Sequence, residues 1–240
     1  MNRQFHTATA LALIVGACHV GTEAEDRDAG AEVSRSYQVG AFDKLAVAGP
    51  YEVNVVTGGQ GGITAKGGEH LLAETEVIVE GDTLTIRPKK HNGIRWNWRG
   101  GKAVFTVNTA ALRGASIAGS GGVNVDKVAG DFEGEVAGSG DLKVGAIAGG
   151  NVKLAIAGSG NVEAAGRADN VDLSIAGSGD IRAGGLASRA AEVSIAGSGN
   201  VAASASESAD VSIMGSGDVN VTGGAKCKVS KAGSGNVSCG

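Results

Sequence analysis

A Gly-Ser-Gly tripeptide followed by Asp, Asn or Gly recurs through the second half of the chain. Successive copies begin 18 to 20 residues apart. A period of this length is typical of a solenoid, in which each repeat forms one coil that stacks on its neighbours. The copies begin at Gly119, Gly138, Gly158, Gly177, Gly197, Gly215 and Gly233.

The residues between these tripeptides alternate between apolar and polar. Residues 171–175 read Val-Asp-Leu-Ser-Ile, and the alternation resumes after the next tripeptide with Ile181 and Ala183. This pattern predicts half-buried strands, while glycine permits a sharp corner and close approach of stacked coils. A six-residue apolar period, typical of left-handed hexapeptide helices, is missing. We therefore predict an all-β, right-handed parallel β-helix with about 18–20 residues per coil.

The composition agrees with a narrow interior. Aromatic residues make up 3% of the chain, and none follows Phe132. A core without rings has to be thin and lined by Ala, Val, Ile and Leu. The 42 glycines occur without a Gly-X-Y period and with only two prolines, which excludes collagen.

The last residue of each corner forms a series that starts at Gly122 and then alternates Asp with Asn. Stacked aspartates would repel each other, whereas an intervening Asn doubles their separation and donates to each carboxylate. We interpret the series as a structural ladder, with weak Ca²⁺ sites as the alternative. Because one carboxylate per two coils is too few for calcium, no metal is predicted. The ladder comprises Asp141, Asn161, Asp180, Asn200, Asp218 and Asn236.

The N-terminus has the features of an export signal. Residues 1–17 combine Arg3 with a short apolar run, as in a signal peptide. The run ends in Val-Gly-Ala before Cys18, which resembles a lipobox and predicts lipidation of Cys18; an ordinary cleaved signal peptide is the alternative. Residues 18–35 are polar and predict a flexible tether. His19, where an Asp would resemble a retention signal, favours the outer membrane over the inner one.

The other two cysteines, Cys227 and Cys239, are close together near the C-terminus. In an exported protein this arrangement predicts a disulfide. The final corner lies only a few residues before Gly240 and leaves little chain to cover the last coil. An uncovered edge predicts self-association through the C-terminal coil.

With these motifs, the chain resembles the auto-transporter adhesin family with a head GIN domain. The resemblance covers approximately residues 36–240 and includes residues 42–47, 51–55 and 81–86 besides the corners. It implies a β-helical fold and a role in the cell envelope or in adhesion. We divide this part into an irregular N-terminal β region and cap, residues 36–108, and the repeat β-helix, residues 109–240, within one continuous domain.

Residues 89–102 gather five positive charges and both tryptophans of an acidic protein. Tryptophan with arginine is suited to stacking on sugars and holding anionic groups. The segment therefore predicts a contact with glycan or lipopolysaccharide. The alternative is a long hairpin loop whose tryptophans close the end of the β-helix. The candidate residues are Arg95, Trp96, Trp98 and Arg99.

Other functional classes are disfavoured. The net charge of −4 offers no overall attraction to nucleic acid. All four histidines precede the corners, so the corner serines have no base within the repeat. Pairs such as Asp141 and Asp180 would lie about 9.6 Å apart, near the upper limit for an inverting glycosidase, but exposed corners do not raise a carboxyl pKa. We predict no enzyme and no cofactor, and an adhesin-like or scaffolding protein of the cell envelope.

Overall fold

The computed structural model describes residues 30–89 and 102–240. In this part of the chain, nineteen strands join one sheet, and a single short helix accompanies them. No helix there is long and apolar enough to cross a membrane. Two of the predicted features, Cys18 and the Trp/Arg segment from residue 90 onward, lie outside the described residues.

The N-terminal region contributes seven strands and the helix. In chain order these are β1 (Glu32–Tyr37), β2 (Lys44–Ala48), β3 (Glu52–Thr57), β4 (Gly62–Gly68), α1 (Glu69–Ala73), β5 (Thr75–Glu80), β6 (Thr83–Pro88) and β7 (Ala103–Thr109).

The repeat contributes twelve strands, divided at the glycine corners. They are β8 (Gly114–Gly119), β9 (Gly122–Ala129), β10 (Phe132–Gly138), β11 (Asp141–Ala148), β12 (Asn151–Gly158), β13 (Asn161–Arg167), β14 (Asn170–Gly177), β15 (Asp180–Gly197), β16 (Val201–Gly215), β17 (Val219–Thr222), β18 (Lys226–Gly233) and β19 (Val237–Cys239).

These strands stack in parallel on two faces of a solenoid. The first face runs from β8 through β10, β12 and β14 to the second halves of β15 and β16 and then β18. The second face runs from β9 through β11 and β13 to the first halves of β15 and β16, then β17 and β19. The two faces make a solenoid of about seven turns, which confirms the predicted β-helix.

The register places equivalent residues of successive coils on top of each other. Leu154 pairs with Leu173, and Ile156 pairs with Ile175. All four are at most 2% exposed, so continuous columns of aliphatic side chains fill the interior. Burial of each such side chain stabilises the fold by about 1.5–3 kcal/mol.

Corner glycines bring backbone directly against backbone. The first glycine of each corner has a positive φ between 119° and 139°. From Gly138 onward, a Cβ there would overlap backbone atoms of the preceding coil, as at Gly177, where it would strike the carbonyl of Gly158. The following serine donates its N–H to that same carbonyl, 2.8 Å away for Ser178. Glycine is therefore required for both the conformation and the spacing.

The order of the first coils in space differs from their order in the chain. β2 pairs with β6 on one side and β8 on the other, and β3 likewise lies between β7 and β9. The coil β2–β3 is thus inserted between the coil β6–β7 and the repeat. Its corner is Gly49-Pro50-Tyr51, in which Gly49 has the same φ of 119° as Gly119.

Antiparallel strands and aromatic rings close the N-terminal end. β4 pairs antiparallel with β7, and β1 with β4. β5 pairs antiparallel with β6 and forms a hairpin around Gly81. Tyr51 is 1% exposed, and its ring meets Phe105 edge to face at 5.5 Å. Its hydroxyl lies 3.0 Å from Thr75 Oγ1, which donates to the carbonyl of Leu71 in α1.

The boundary of the tether differs from the sequence assignment. The sequence places residues 32–35 in the predicted tether, because the segment is polar and lacks apolar periodicity. They belong to β1 in the structure, where Arg35 pairs with Ala65 of β4. An edge strand is specified by the partner that covers it, so its own pattern is a poor guide.

We expect Gly177→Ala to lower the free energy of unfolding by about 1–3 kcal/mol, because the methyl group would force two backbones apart. Urea denaturation followed by circular dichroism measures the change. Gly184→Ala is the matched control, since a Cβ at Gly184 meets only the Cβ of Ala202, at 3.7 Å. Equal stability of the two variants would contradict this account of the corner.

Candidate functional site

β6 and β7, the strands before and after the Trp/Arg segment in the chain, are the two halves of the first coil. β6 ends at Pro88 and β7 begins at Ala103, and these strands stack on β2 and β3 like the two halves of any other coil. The candidate residues Arg95, Trp96, Trp98 and Arg99 lie outside the described residues. Lys89, the last described residue before them, is held in place because its backbone N–H donates to the carbonyl of Glu74 at 2.8 Å.

The Asp/Asn series forms hydrogen-bonded pairs along the edge of the second face. Asp141 Oδ1 accepts from both the backbone N–H and the side-chain amide of Asn161, at 3.1 and 2.8 Å. Asp180 accepts in the same way from Asn200, at 3.1 and 3.0 Å. Each carboxylate therefore caps the start of the next strand with charge-assisted bonds. A third such pair joins Asp218 and Asn236.

The structure explains why the first member of the series, Gly122, is glycine instead of Asp or Asn. It pairs with Glu52 of the inserted coil, and a Cβ at Gly122 would overlap the carboxylate of Glu52. Glu52 in turn accepts from the amide of Asn124, with 2.6 Å between Oε1 and Nδ2. The longer side chain of Glu52 thus covers the space that an Asp at 122 would fill.

A second ladder lies at the opposite corners of the solenoid and was not predicted. Asn151 donates to Asp131 Oδ1 from its backbone N–H and from its side-chain amide, at 2.7 and 3.2 Å. Asn170 donates to Asn151 Oδ1 at 2.8 Å. In the sequence, the residues of this ladder stand at the starts of alternate strands. No Gly-Ser-Gly tripeptide precedes them, so the repeat motif does not reveal them.

Both ladders display hydrogen-bonding groups on the surface. The corner serines, such as Ser178, are exposed, and the ladder carboxylates bond the next coil through Oδ1, while Oδ2 of Asp180 accepts from Arg182 at 3.0 Å. Burial raises the pKa of Tyr37 and of Tyr51, and the hydrogen bond between Tyr51 and Thr75 partly offsets the rise at Tyr51. In residues 30–89 and 102–240, no group of three or more His, Cys, Asp or Glu is arranged to hold a metal ion. The arrangement is suited to polar contact with a large partner.

Charge is distributed unevenly along the first face. Asp172, Glu192 and Asp210 stand at equivalent positions of three successive coils. They border a shallow groove of about 460 Å³ whose floor includes Val171. The next position in this row is Lys228 of β18. The row thus changes from acidic to basic at the C-terminal coil.

The disulfide closes the C-terminal mouth of the solenoid. Cys227 stands above buried Ala209 on the first face, and Cys239 stands above buried Val221 on the second. Both cysteines therefore occupy inward-facing columns. Their bond, with a Cα–Cα distance of 6.6 Å, joins the two faces across the opening and confirms the predicted pairing.

Other inward positions of the last coil are partly open. Val229 stacks on Val211 but is 47% exposed, because no further coil among the described residues covers it. Lys231 takes the position above Ile213, and its Nζ donates to the carbonyl of Gly235 at 2.8 Å. A lysine at the end of an isoleucine column disfavours the apolar stacking of another coil.

We expect Cys227→Ala/Cys239→Ala to lower the free energy of unfolding by about 2–3 kcal/mol, because the disulfide restrains the unfolded chain and joins both faces. The Cys18→Ser chain is the background. Urea denaturation with and without dithiothreitol measures the change. Dithiothreitol should lower the free energy of unfolding of the parent by the same amount and leave that of the double variant unchanged. If reduction does not change the stability of the parent, the bond does not have this role.

Solved structures share this architecture. A protein from Bacteroides fragilis described as a "putative adhesin" is 25% identical, with a TM-score of 0.71 over 87% of this chain and 97% of its own. A protein from Parabacteroides distasonis described as a "putative lipid binding protein" is 24% identical, with a TM-score of 0.70 over 88% and 97%. A "putative adhesin" from Parabacteroides merdae is 19% identical, with a TM-score of 0.66 over 88% and 97%. The last two likenesses establish the fold alone.

No functionally curated protein matches the chain. The family model described as "Putative auto-transporter adhesin, head GIN domain" matches residues 41–225, which include both N-terminal coils and most of the repeat. The chain therefore belongs to the auto-transporter adhesin family with a head GIN domain.

Proposed function

We propose that this protein is a non-enzymatic, lipid-anchored surface scaffold of the cell envelope, which presents a rigid polar wall for adhesion-type contacts. The observation that carries the proposal is the Asp/Asn ladder, whose carboxylates are bonded to the next coil and hold the corners in fixed register. A surface already ordered loses little conformational freedom on binding, which favours broad contact with another large molecule.

The position of the chain ends supports the anchoring part of the proposal. β1 begins at Glu32, beside the N-terminal cap. A lipid on Cys18 would therefore hold that end toward the membrane, and the fourteen residues 18–31 reach at most about 3.5 Å each when extended. The two N-terminal coils, β6–β7 and β2–β3, and the seven coils of the repeat make nine. They rise by about 4.8 Å each and extend away from the cap. The outer membrane is the favoured location because His19 follows Cys18.

Anchoring predicts that Cys18→Ser moves the protein from the membrane fraction to the soluble fraction of the envelope, because the acyl chains are lost. Fractionation with metabolic palmitate labelling measures this. Wild type should carry the label, and Cys227→Ser/Cys239→Ser should keep it as the matched cysteine control. A Cys18→Ser protein that stays on the membrane would contradict the proposal.

A second candidate function is binding of glycan or lipopolysaccharide by residues 89–102. The favouring observation is that the chain between β6, which ends at Pro88, and β7, which begins at Ala103, is longer than the short corners that connect the strands of the other coils. An insertion at a scaffold corner is a common position for a binding loop. The Parabacteroides distasonis protein described as a "putative lipid binding protein" shares the fold. Its description is compatible with a ligand that carries lipid, such as lipopolysaccharide.

For this candidate, Trp96→Ala/Trp98→Ala should weaken binding to purified lipopolysaccharide or cell-wall glycan by roughly tenfold or more, because ring stacking is lost. Isothermal titration calorimetry measures the affinity. Trp96→Phe/Trp98→Phe keeps flat rings and should retain most of it. Equal binding by all three folded proteins, or binding by none, would reject the candidate.

A further inference from the structure

β18 is an open edge strand at the tip of the solenoid. On one side it pairs with β16 along its whole length, Lys226 to Gly233. Within residues 30–89 and 102–240, no strand pairs with its other side. An edge strand of eight residues presents a row of N–H and C=O groups that another extended segment can bond.

Three lysines mark this edge: Lys226, Lys228 and Lys231. Lys228 Nζ lies 3.7 Å from Asp210 and is 89% exposed, so that ion pair is weak. Lys226 has no carboxylate within ion-pair distance in the described part of the chain. Two such edges placed side by side would bring lysines together, which disfavours a symmetric pairing of tips.

The charge pattern of the tether complements these lysines. Glu23, Glu25 and Asp28 are separated by two and then three residues, the same intervals as those between Lys226, Lys228 and Lys231. A parallel strand added in this register sets each acid opposite one lysine. Opposite charges on facing positions stabilise strand pairing by about 0.2–1 kcal/mol each.

The inward positions of such a strand also fit, with one exception. Ala24 falls above Cys227, where a small side chain covers the disulfide. Asp26 falls above Val229, an inward position. The Asp26 carboxylate would stay in contact with water there, because Val229 lies at the open mouth of the solenoid and is 47% exposed.

The segment has to come from another copy of the chain. β1 begins at Glu32, so only residues 29–31 separate Asp28 from the N-terminal cap, a reach of about 14 Å. Eight steps between nine coils place the tip about 38 Å from the first coil.

We propose that the tip strand β18 binds the acidic tether segment, residues 23–28, of a second copy by parallel strand addition. The contact is head to tail, because the cap of the second copy follows its tether by a few residues. Such a contact leaves one free tip and one free tether on each pair of copies, so it can add further copies. A single added strand gives low affinity in solution. This inference goes beyond the scaffold function and does not depend on a glycan ligand.

Sedimentation velocity of the Cys18→Ser chain, residues 18–240, over a concentration series at low ionic strength tests the proposal. The parent should associate in a concentration-dependent manner. Lys226→Glu/Lys228→Glu/Lys231→Glu should weaken association by roughly tenfold or more. Glu23→Lys/Glu25→Lys/Asp28→Lys should weaken it equally, and the chain with all six changes should recover it, since every pair is again complementary.

Lys127→Glu/Lys143→Glu/Lys153→Glu is the matched control, because it changes net charge by the same amount away from the tip, and it should associate like the parent. Circular dichroism verifies that each variant is folded. A parent that is monomeric at every soluble concentration, a tip variant that associates normally, or six changes that fail to restore association would each overturn the proposal. A monomeric parent that binds phosphatidylglycerol vesicles through the three lysines would identify a lipid contact instead.

Discussion

Backbone contact at the glycine corners is the constraint on which the solenoid depends. The serine N–H of each corner donates to the first glycine carbonyl of the corner before it, over 2.8 to 3.0 Å from Ser139 to Ser234. Any Cβ at these glycines would prevent that approach. Because the corners repeat at nearly constant spacing, the aliphatic columns, both polar ladders and the parallel register follow from the same contact.

A stack held together in this way is stable in its middle and vulnerable at its ends. The N-terminal end is closed by packing, with Tyr51 in the place of a corner glycine and α1 above it. The C-terminal end is closed by covalent chemistry and charge, through the disulfide and Lys231. These different ends give the molecule a direction, and this polarity is the reason that a head-to-tail contact is physically reasonable while a symmetric one is disfavoured.

Structure that is local or strictly periodic can be predicted from this sequence, because the corners and the alternating strands each carry their own pattern. The inserted coil β2–β3 cannot be predicted in this way, because the residues that pair it with β6 and β8 are distant in the chain and share no motif. The same holds for the corner at Gly49, where Pro50 and Tyr51 replace Ser and Gly, and for the ladder that starts at Asp131.

The sequence alone determined that the chain folds as a solenoid. Glycine corners every 18 to 20 residues divide the chain into short coils, and one such coil can bury its apolar side chains only by stacking on its neighbours. It also indicated the pairing of Cys227 with Cys239 from their proximity and the export signal. Only the tertiary structure decided that this bond crosses the mouth, that the side chain of Glu52 fills the space beside Gly122, and that the lysines of β18 lie on an edge strand. Those facts depend on which coil lies on top of which, and stacking order arises from contacts between distant residues that no local pattern encodes.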